Sequence, residues 1–378
     1  MGRLATGSQP AQTVPEAVCR DRPVLQQARR SLPGPDASVS QIHSAGKFSL
    51  RKLVIKPCLA CTANCPTCAC RRELHKDLRR EPMLTLQDWS RILTEARELG
   101  VERLDISGGE PTLYKYLTNL IQIGRGYGWH VGVNTNGSLI DQAYAESLLR
   151  AGVNTICVSL YSPNPAVHDA MRRSRNLWHK ATNAIRILRA MERRFPDFRV
   201  VTQTILCREN HESFADLLEL HYRLGSHSLG IAYLEGDFDR QYLLNEDEIR
   251  HFRKYVIPKV MEFTDRLSSG ARKHARRTLH EMFSEDILTI SEWASGYYRP
   301  RHKNLPPCRR PMEFAIILAN GDVHPCNMVE YTHEPVMGNV YVHSLTEVWN
   351  SEKWNTFRVN LFDGCTSCPI NLYMGISL

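Results

Sequence analysis

Between Lys52 and Leu234 the chain alternates strand-like and helix-like stretches six times, and no other feature limits its fold so sharply. Lys52-Leu53-Val54-Ile55-Lys56 is a short apolar run stopped by Pro57. Thr85 and Asp88 then make a capping-box-like start. Trp89, Ile92, Leu93, Ala96 and Leu99 recur at helical spacing, and Gly100 closes the helix. The pattern repeats, with strands expected over 103–107, 130–133, 155–160, 199–206 and 229–234 and helices over 114–123, 141–150, 166–194 and 213–224. Such alternation gives a parallel sheet with helices on its faces, and right-handed crossovers curl that sheet toward a barrel. A closed barrel takes about eight units. Six predict an α/β fold, a partial (β/α)6 TIM-like barrel.

The polar and glycine-rich stretches all follow strands. A cysteine loop follows the first strand, Gly108-Gly109-Glu110 the second and Asn134 to Asn136 the third. Ser159 ends the fourth, Asn210 follows the fifth, and Glu235 to Asp237 follow the sixth. Folds of this class build active sites on the C-terminal rim of the sheet, so everything unusual converges on one rim. Around the barrel, taken as 46–236, residues 1–45 read as a disordered leader rich in Pro, Ser, Ala and Gln. Residues 237–305 read as a charged helical bridge. Residues 306–378 read as a small β-hairpin and helix module, with a strand over Phe314 to Leu318 and an Asn320-Gly321-Asp322 turn of type I′. A second strand runs into Cys326, and the last helix covers Lys353 to Asn360.

No stretch approaches the ~20 apolar residues of a membrane helix, and the N-terminus lacks an apolar signal run. The expected setting is the reducing cytoplasm with no membrane partner. There the 12 cysteines read as ligands rather than disulfides. The net charge of +8 is spread through helix-like sequence without a recognition motif, which argues against nucleic acid.

Five cysteines, Cys58, Cys61, Cys65, Cys68 and Cys70, fall within thirteen residues. Thiolates this dense point to a soft metal centre. Cys58/Cys61 and Cys65/Cys68 are two C-x2-C pairs that would suit zinc, and on the cysteines alone zinc and an iron–sulfur cluster stand level. A second set, Cys308, Cys326, Cys365 and Cys368, has the count of a closed metal site. Cys19 is isolated, and Cys157 and Cys207 read as buried structural thiols.

Ser107-Gly108-Gly109-Glu110-Pro111, at the end of the next strand, separates these readings. With the C-x3-C-x2-C spacing of Cys61, Cys65 and Cys68, it makes residues 50 to 235 resemble the radical S-adenosylmethionine (SAM) superfamily. The resemblance implies that Cys61, Cys65 and Cys68 hold a [4Fe–4S] cluster whose remaining iron binds SAM. It implies that Ser107 belongs to the SAM-binding turn, that Gly108, Gly109 and Glu110 hold the methionine amino group, and that Asn134, Asn136 and Ser159 face its carboxylate or the ribose. The chain departs from the family at Thr67, where an aromatic residue is common, and at Tyr161, where an aspartate is common. Cys308, Gly321-x4-Cys326 and Cys365-x2-Cys368 resemble the SPASM/twitch extension in its short form, implying one auxiliary [4Fe–4S] cluster held by four cysteines.

The function expected from this resemblance is hydrogen-atom abstraction from a small sugar- or aminocyclitol-like substrate. The outcome would be dehydrogenation or a related dehydration, epimerisation or decarboxylation, driven by an external reductant such as flavodoxin or ferredoxin. The step of eighteen positions from Cys308 to Cys326 is similar to that of an aminocyclitol dehydrogenase of antibiotic biosynthesis. His211, Tyr233, Glu235 and Asp237 are candidate substrate contacts, and Arg172, Arg173 and Arg175 offer a carboxylate or phosphate site. The alternative is a maturase of a ribosomal peptide. Many such enzymes carry a recognition domain of about 80 residues, for which the leader is short and polar. A zinc-binding nucleic-acid module is the third reading.

Overall fold

Six parallel strands stand side by side in chain order: β1 (Lys52–Lys56), β2 (Arg103–Ile106), β3 (His130–Thr135), β4 (Thr155–Ser159), β5 (Arg199–Leu206) and β6 (Ser228–Tyr233). Sequential order with helical crossovers is the winding of a barrel, here left open. The structure is a computed structural model describing residues 48–68, 82–234, 240–296, 310–326, 336–364 and 374–377. All of them lie in the unit Phe48–Leu378.

Strand alternation sorts the side chains. Leu53, Ile55, Leu104, Ile106, Val131, Val133, Ile156 and Val158 are fully buried with the helices in one core. Asp105, Gly132, Asn134, Cys157, Ser159 and Gln203 occupy the alternate positions and face the barrel interior. The interior therefore presents polar groups across β2 to β5.

The helix α1 (Leu86–Glu98) begins in the expected capping box: Asp88 N donates to Thr85 Oγ1 at 3.2 Å and Thr85 N to Asp88 Oδ2 at 2.8 Å. It buries Trp89, Ile92, Leu93 and Ala96. The helix α2 (Leu117–Gly126) starts three residues later than its periodicity predicts. Glu110 and Pro111 first make a single 3-10 turn over Pro111–Leu113, and extended Tyr114 ends it. Asp141 caps α3 (Gln142–Arg150) as its position predicts.

The expected continuous helix over 166–194 is two helices, α4 (Pro165–Arg172) and α5 (Leu177–Met191). Arg173 and Asn176 adopt left-handed conformations, with φ of 43° and 60°. The Asp169 carboxylate accepts from Asn176 N at 2.5 Å and Trp178 N at 2.8 Å, which fixes the corner. A left-handed non-glycine residue costs about 1–2 kcal/mol, and Arg173 is exposed. Arg173→Gly should therefore stabilise the fold by about 1 kcal/mol, measured as a higher urea midpoint at unchanged slope. A lower midpoint would mean that the arginine side chain holds the corner.

The helix α6 (Phe214–Arg223) completes the barrel. The bridge forms α7 (Glu246–His251), a π-helical segment over Phe252–Val256, α8 (Ile257–Phe263), α9 (Ser269–Phe283) and α10 (Ile290–Ser295). Phe252, Phe283 and Trp293 pack with Phe214, Leu229, Ile231 and Tyr233 in a second core.

The C-terminal strands extend the barrel sheet at both ends. β7 (Phe314–Leu318) pairs parallel with β1, β8 (Asp322–His324) and β9 (Gly338–Asn339) continue antiparallel, and β10 (Met374–Ser377) pairs antiparallel with β6. The β7–β8 connection is not the expected type I′ turn, since Asn320 lacks a positive φ. Gly321 N bonds Leu318 O at 3.0 Å and Gly321 is left-handed at φ 88°, which makes a three-residue loop that includes Ala319. The C-terminal helices are α11 (Arg310–Glu313), α12 (Leu345–Trp349) and α13 (Glu352–Gly364). Trp349 Nε1 donates to Phe48 O, tying α12 to the start of the barrel, and Trp354 Nε1 donates to Pro311 O, tying α13 to α11, each at 3.0 Å. Among the described residues no helix is long and apolar enough to cross a membrane.

Candidate active site

Pro57 ends β1, and the chain enters the cysteine loop lying directly on the turn after β2. Gly109 N donates to Cys58 O at 2.9 Å and Glu110 N to Ala60 O at 2.7 Å. A Cβ on Gly109 would stand 2.2 Å from Ala60 O, and one on Gly108 would stand 2.5 Å from Cys58 O. The close approach that these glycines permit is therefore to the backbone of the cysteine loop itself. Cys58 belongs to this seam. Its thiol donates to the Glu110 carbonyl at 3.3 Å.

Cys61, Cys65 and Cys68 pack together against Ala63 and Leu177, with Cys65 buried. Asn136 Nδ2 lies 3.7 Å from Cys61 Sγ and donates to Thr62 Oγ1 at 2.9 Å. Burial pushes the Cys61 thiol up, and the Ala63 N–H partly offsets this. Among the described residues no three Cys, His, Asp or Glu side chains gather tightly enough to hold one ion. Thiolates that each take a different iron of a cluster stand further apart than the ligands of a single zinc at ~2.3 Å. Cys58, the fourth member of the alternative zinc set, donates its thiol to Glu110 O in this structure. Cys70 lies outside the described residues.

Glu110 is 1% exposed and accepts four hydrogen bonds. Oε1 takes Thr112 N (3.1 Å), Thr112 Oγ1 (2.6 Å) and Thr135 Oγ1 (2.7 Å), and Oε2 takes Asn136 N (2.7 Å). A carboxylate has about four acceptor positions. Glu110 therefore locks the end of β3 to the turn after β2 and in doing so places Asn136 beside Cys61. Ser107 N bonds Ile55 O at 2.9 Å. Asn134 is exposed on the interior face, and Ser159 is half-buried there beside Gln203.

The α4–α5 corner closes the site from the other side. Asn64 N donates to Arg172 O at 3.0 Å and Ser174 Oγ to Thr62 O at 3.3 Å. Arg172 is buried with its guanidinium 4.5 Å from the centre of the Tyr161 ring, while Arg173 and Arg175 are exposed. Burial pushes the Tyr161 phenol up to about 12 against the pull of Arg172. Behind the rim His168 and His221 are pushed down to about 3, both chiefly by burial, so both are neutral. Asn210 Nδ2 donates to Tyr161 O and Ile205 O at 2.8 Å, bracing β4 against β5.

Several expected contacts go elsewhere. Tyr233 donates its hydroxyl to Met282 O at 2.6 Å inside the second core, and buried His211 is held through Nδ1 by Arg208 O at 2.7 Å. Glu235 and Asp237 lie outside the described residues. Cys207 is buried as expected, but Cys157 faces the barrel interior, half-buried, with its thiol raised to about 12 by burial and then by Asp105. Cys326 is half-buried just past β8. Cys308, Cys365 and Cys368 lie outside the described residues.

An open barrel with a thiol loop on its C-terminal rim has the makings of a soft-metal centre at the strand ends, which defines a class of metal-dependent barrel proteins. Comparison with known proteins narrows the class: the radical SAM superfamily matches residues 55–221, and SPASM, an iron–sulfur cluster-binding domain, matches residues 308–369. The chain belongs to the radical SAM superfamily and carries a C-terminal SPASM domain. Among its relatives, PqqA peptide cyclase of Streptomyces rochei is 28% identical over 82% of this chain and 79% of its own. That of Gluconobacter oxydans is 26% identical over the same shares. Streptococcus suis SuiB bound to the precursor peptide SuiA shares the fold with a TM-score of 0.59 at 17% identity, covering 91% of this chain and 77% of that one. A structure of anSMEcpe with AdoMet and the Cp18Cys peptide has a TM-score of 0.57 at 15% identity, covering 85% and 87%.

The family brings a [4Fe–4S] cluster, SAM and auxiliary iron–sulfur clusters. The three packed thiols of Cys61, Cys65 and Cys68 fit the first of these. The expectation of a sugar or aminocyclitol substrate is overturned by the relatives, which are named for a peptide. Its error is physical. The spacing of Cys308 and Cys326 concerns how a cluster is held, whereas substrate class depends on what lines the barrel.

Proposed function

We propose that this protein is a maturase that modifies a ribosomally made peptide. The observation that carries the reading is the peptide cyclase name of relatives matching 82% of the chain. When loaded, the cluster and SAM supply one-electron cleavage of SAM and a hydrogen-atom acceptor. The chain's own residues do the rest. Cys61, Cys65 and Cys68, packed with Leu177, would hold the cluster, and Glu110 fixes the rim so that Asn136 Nδ2 lies 3.7 Å from Cys61 Sγ. Asn134, Ser159 and Gln203 line the interior with groups able to hydrogen-bond SAM or a peptide backbone. Ser107, Gly108 and Gly109 border the SAM amino group in this reading. Cys308, Cys326, Cys365 and Cys368 would hold one auxiliary cluster, which would supply a one-electron acceptor. The setting is the cytoplasm, where flavodoxin- or ferredoxin-type proteins supply the first electron.

The test is label transfer. The anaerobically reconstituted chain is given SAM and reductant with either deuterated PqqA-type peptides or deuterated aminocyclitols and sugars. Deuterium in 5′-deoxyadenosine from peptide, with loss of two hydrogens from the peptide mass, is the expected result. Deuterium from the small molecules and none from peptide overturns the reading.

A further inference from the structure

The sheet has two edges, and the chain guards only one of them. Among the described residues its order runs from β10, outside β6, to β9, two strands beyond β7. A sheet wound into an open barrel has its opening between these edges. β9 is two residues long, and the chain leaves it at once, with Val340 N turning back to Gly321 O at 2.9 Å. A strand that short offers little to pair with. β10 spans four residues, Met374 to Ser377, in unbroken register with Ser228 to Ile231 of β6. It has none of the usual guards, which are charged side chains, proline and bulges. From Ile370 to Leu378 there is no charged side chain and no proline. α9 lies against β10, and its Leu279 and Met282 share a core with Leu229 and Ile231, so the helix covers a face of this pair. Beyond the outer edge of β10 no further strand stands among the described residues.

We propose that the outer edge of β10 binds an extended segment of the peptide substrate as an added strand. This rests on the maturase reading and names how that substrate is held. The backbone N–H and C=O groups of an edge strand pair with an extended peptide whatever its side chains. β1 to β6 all run toward the rim that carries the cysteine loop. Antiparallel β10 runs away from it, from Met374 opposite Ile231 to Ser377 opposite Ser228. A peptide added antiparallel to β10, the slightly stronger pairing, therefore runs toward the rim. The residues that follow the bound segment are delivered to the thiol loop, so recognition precedes modification along the peptide. A second copy of this chain is the other candidate for an unguarded edge. Four residues a side fall well short of the ~20–30 that a stable interface takes, whereas a substrate is held only for a turnover.

The experiment is an N-methyl scan of a fluorescently labelled PqqA-type peptide, bound to the full chain loaded anaerobically. Each methyl removes one backbone N–H. In a strand added at one edge, every second N–H points to β10. Methyl groups at alternate positions should therefore weaken binding about fivefold each, the worth of one hydrogen bond, and those between them should not. Neighbouring N–H groups of β10 also point to opposite edges. Of Gly375→Pro and Ile376→Pro, one removes a donor to β6 and the other a donor to the peptide. The variant with an unchanged urea midpoint should bind the peptide about fivefold more weakly at unchanged iron content. Where both prolines lower the midpoint, the methyl scan alone decides. A scan without alternation, or a stable proline variant that binds normally, overturns the proposal. So does a dimer in ultracentrifugation that the peptide does not dissociate, which gives the edge to a second copy. Deuterium transfer from a peptide whose scan shows no alternation removes the edge site and leaves the maturase reading standing; neither binding nor transfer removes both.

Discussion

Replacing any one of Cys61, Cys65 or Cys68 with alanine is expected to lower the iron content by about four per chain and to reduce 5′-deoxyadenosine formation to background. Cys58→Ser and Cys70→Ser are expected to leave both unchanged. The contrast follows from where the thiols are. The first three share one pocket with Ala63 and Leu177, and Cys58 is not part of that packing. The Cys58 thiol donates to the Glu110 carbonyl, and a serine hydroxyl makes the same bond. Cys58→Ala should cost about 1 kcal/mol in stability, the usual worth of one hydrogen bond, with iron still retained. Iron counting, deoxyadenosine by chromatography and a urea titration of each variant decide the matter. If Cys58→Ser loses four irons, the ligand set contains Cys58 and the seam with Glu110 belongs to the empty protein alone.

The barrel and its rim were legible because they rest on local signals: period, caps and strand ends. The C-x3-C-x2-C loop and Gly-Gly-Glu turn were legible because few residue types satisfy those chemistries. What the chain concealed is non-local. Glu110 reads as a ligand for an ammonium, yet the groups that occupy its lone pairs include Thr135 and Asn136, some twenty-five positions away. Arg172 reads as one of a solvated run, because the helical period continues through 166–194 and neither glycine nor proline marks the left-handed corner at Arg173 and Asn176. One signal was available. Phe314 to Leu318 is apolar at every position and every residue is buried, the mark of a strand covered on both faces. That pattern fits a neighbour of β1 better than a small separate hairpin. The aminocyclitol expectation failed for another reason: cluster ligands do not encode what enters the barrel.

Gly109→Ala should be among the most damaging single-methyl changes in the barrel. Gly109 does not have a positive φ, so the cost is contact rather than backbone strain. The added carbon meets Ala60 O at 2.2 Å, Leu59 O at 2.5 Å and Ala60 C at 2.7 Å, all backbone atoms that cannot rotate away. Relief requires pushing the cysteine loop off the turn, which breaks the Gly109 N to Cys58 O and Glu110 N to Ala60 O bonds together. Overpacking of this kind costs about 1–3 kcal/mol, and the two lost bonds add about 1 kcal/mol each. The variant should therefore lose about 4 kcal/mol, with iron loading falling in proportion, since the displaced segment runs directly into Cys61. Gly108→Ala meets Cys58 O at 2.5 Å and adds strain at φ 130°, so it should be at least as severe. Loss of iron from the SAM-binding site with the auxiliary signal intact is the expected signature. A Gly109→Ala protein with normal stability and iron would show that the loop has room to retreat, and that the glycines serve SAM alone.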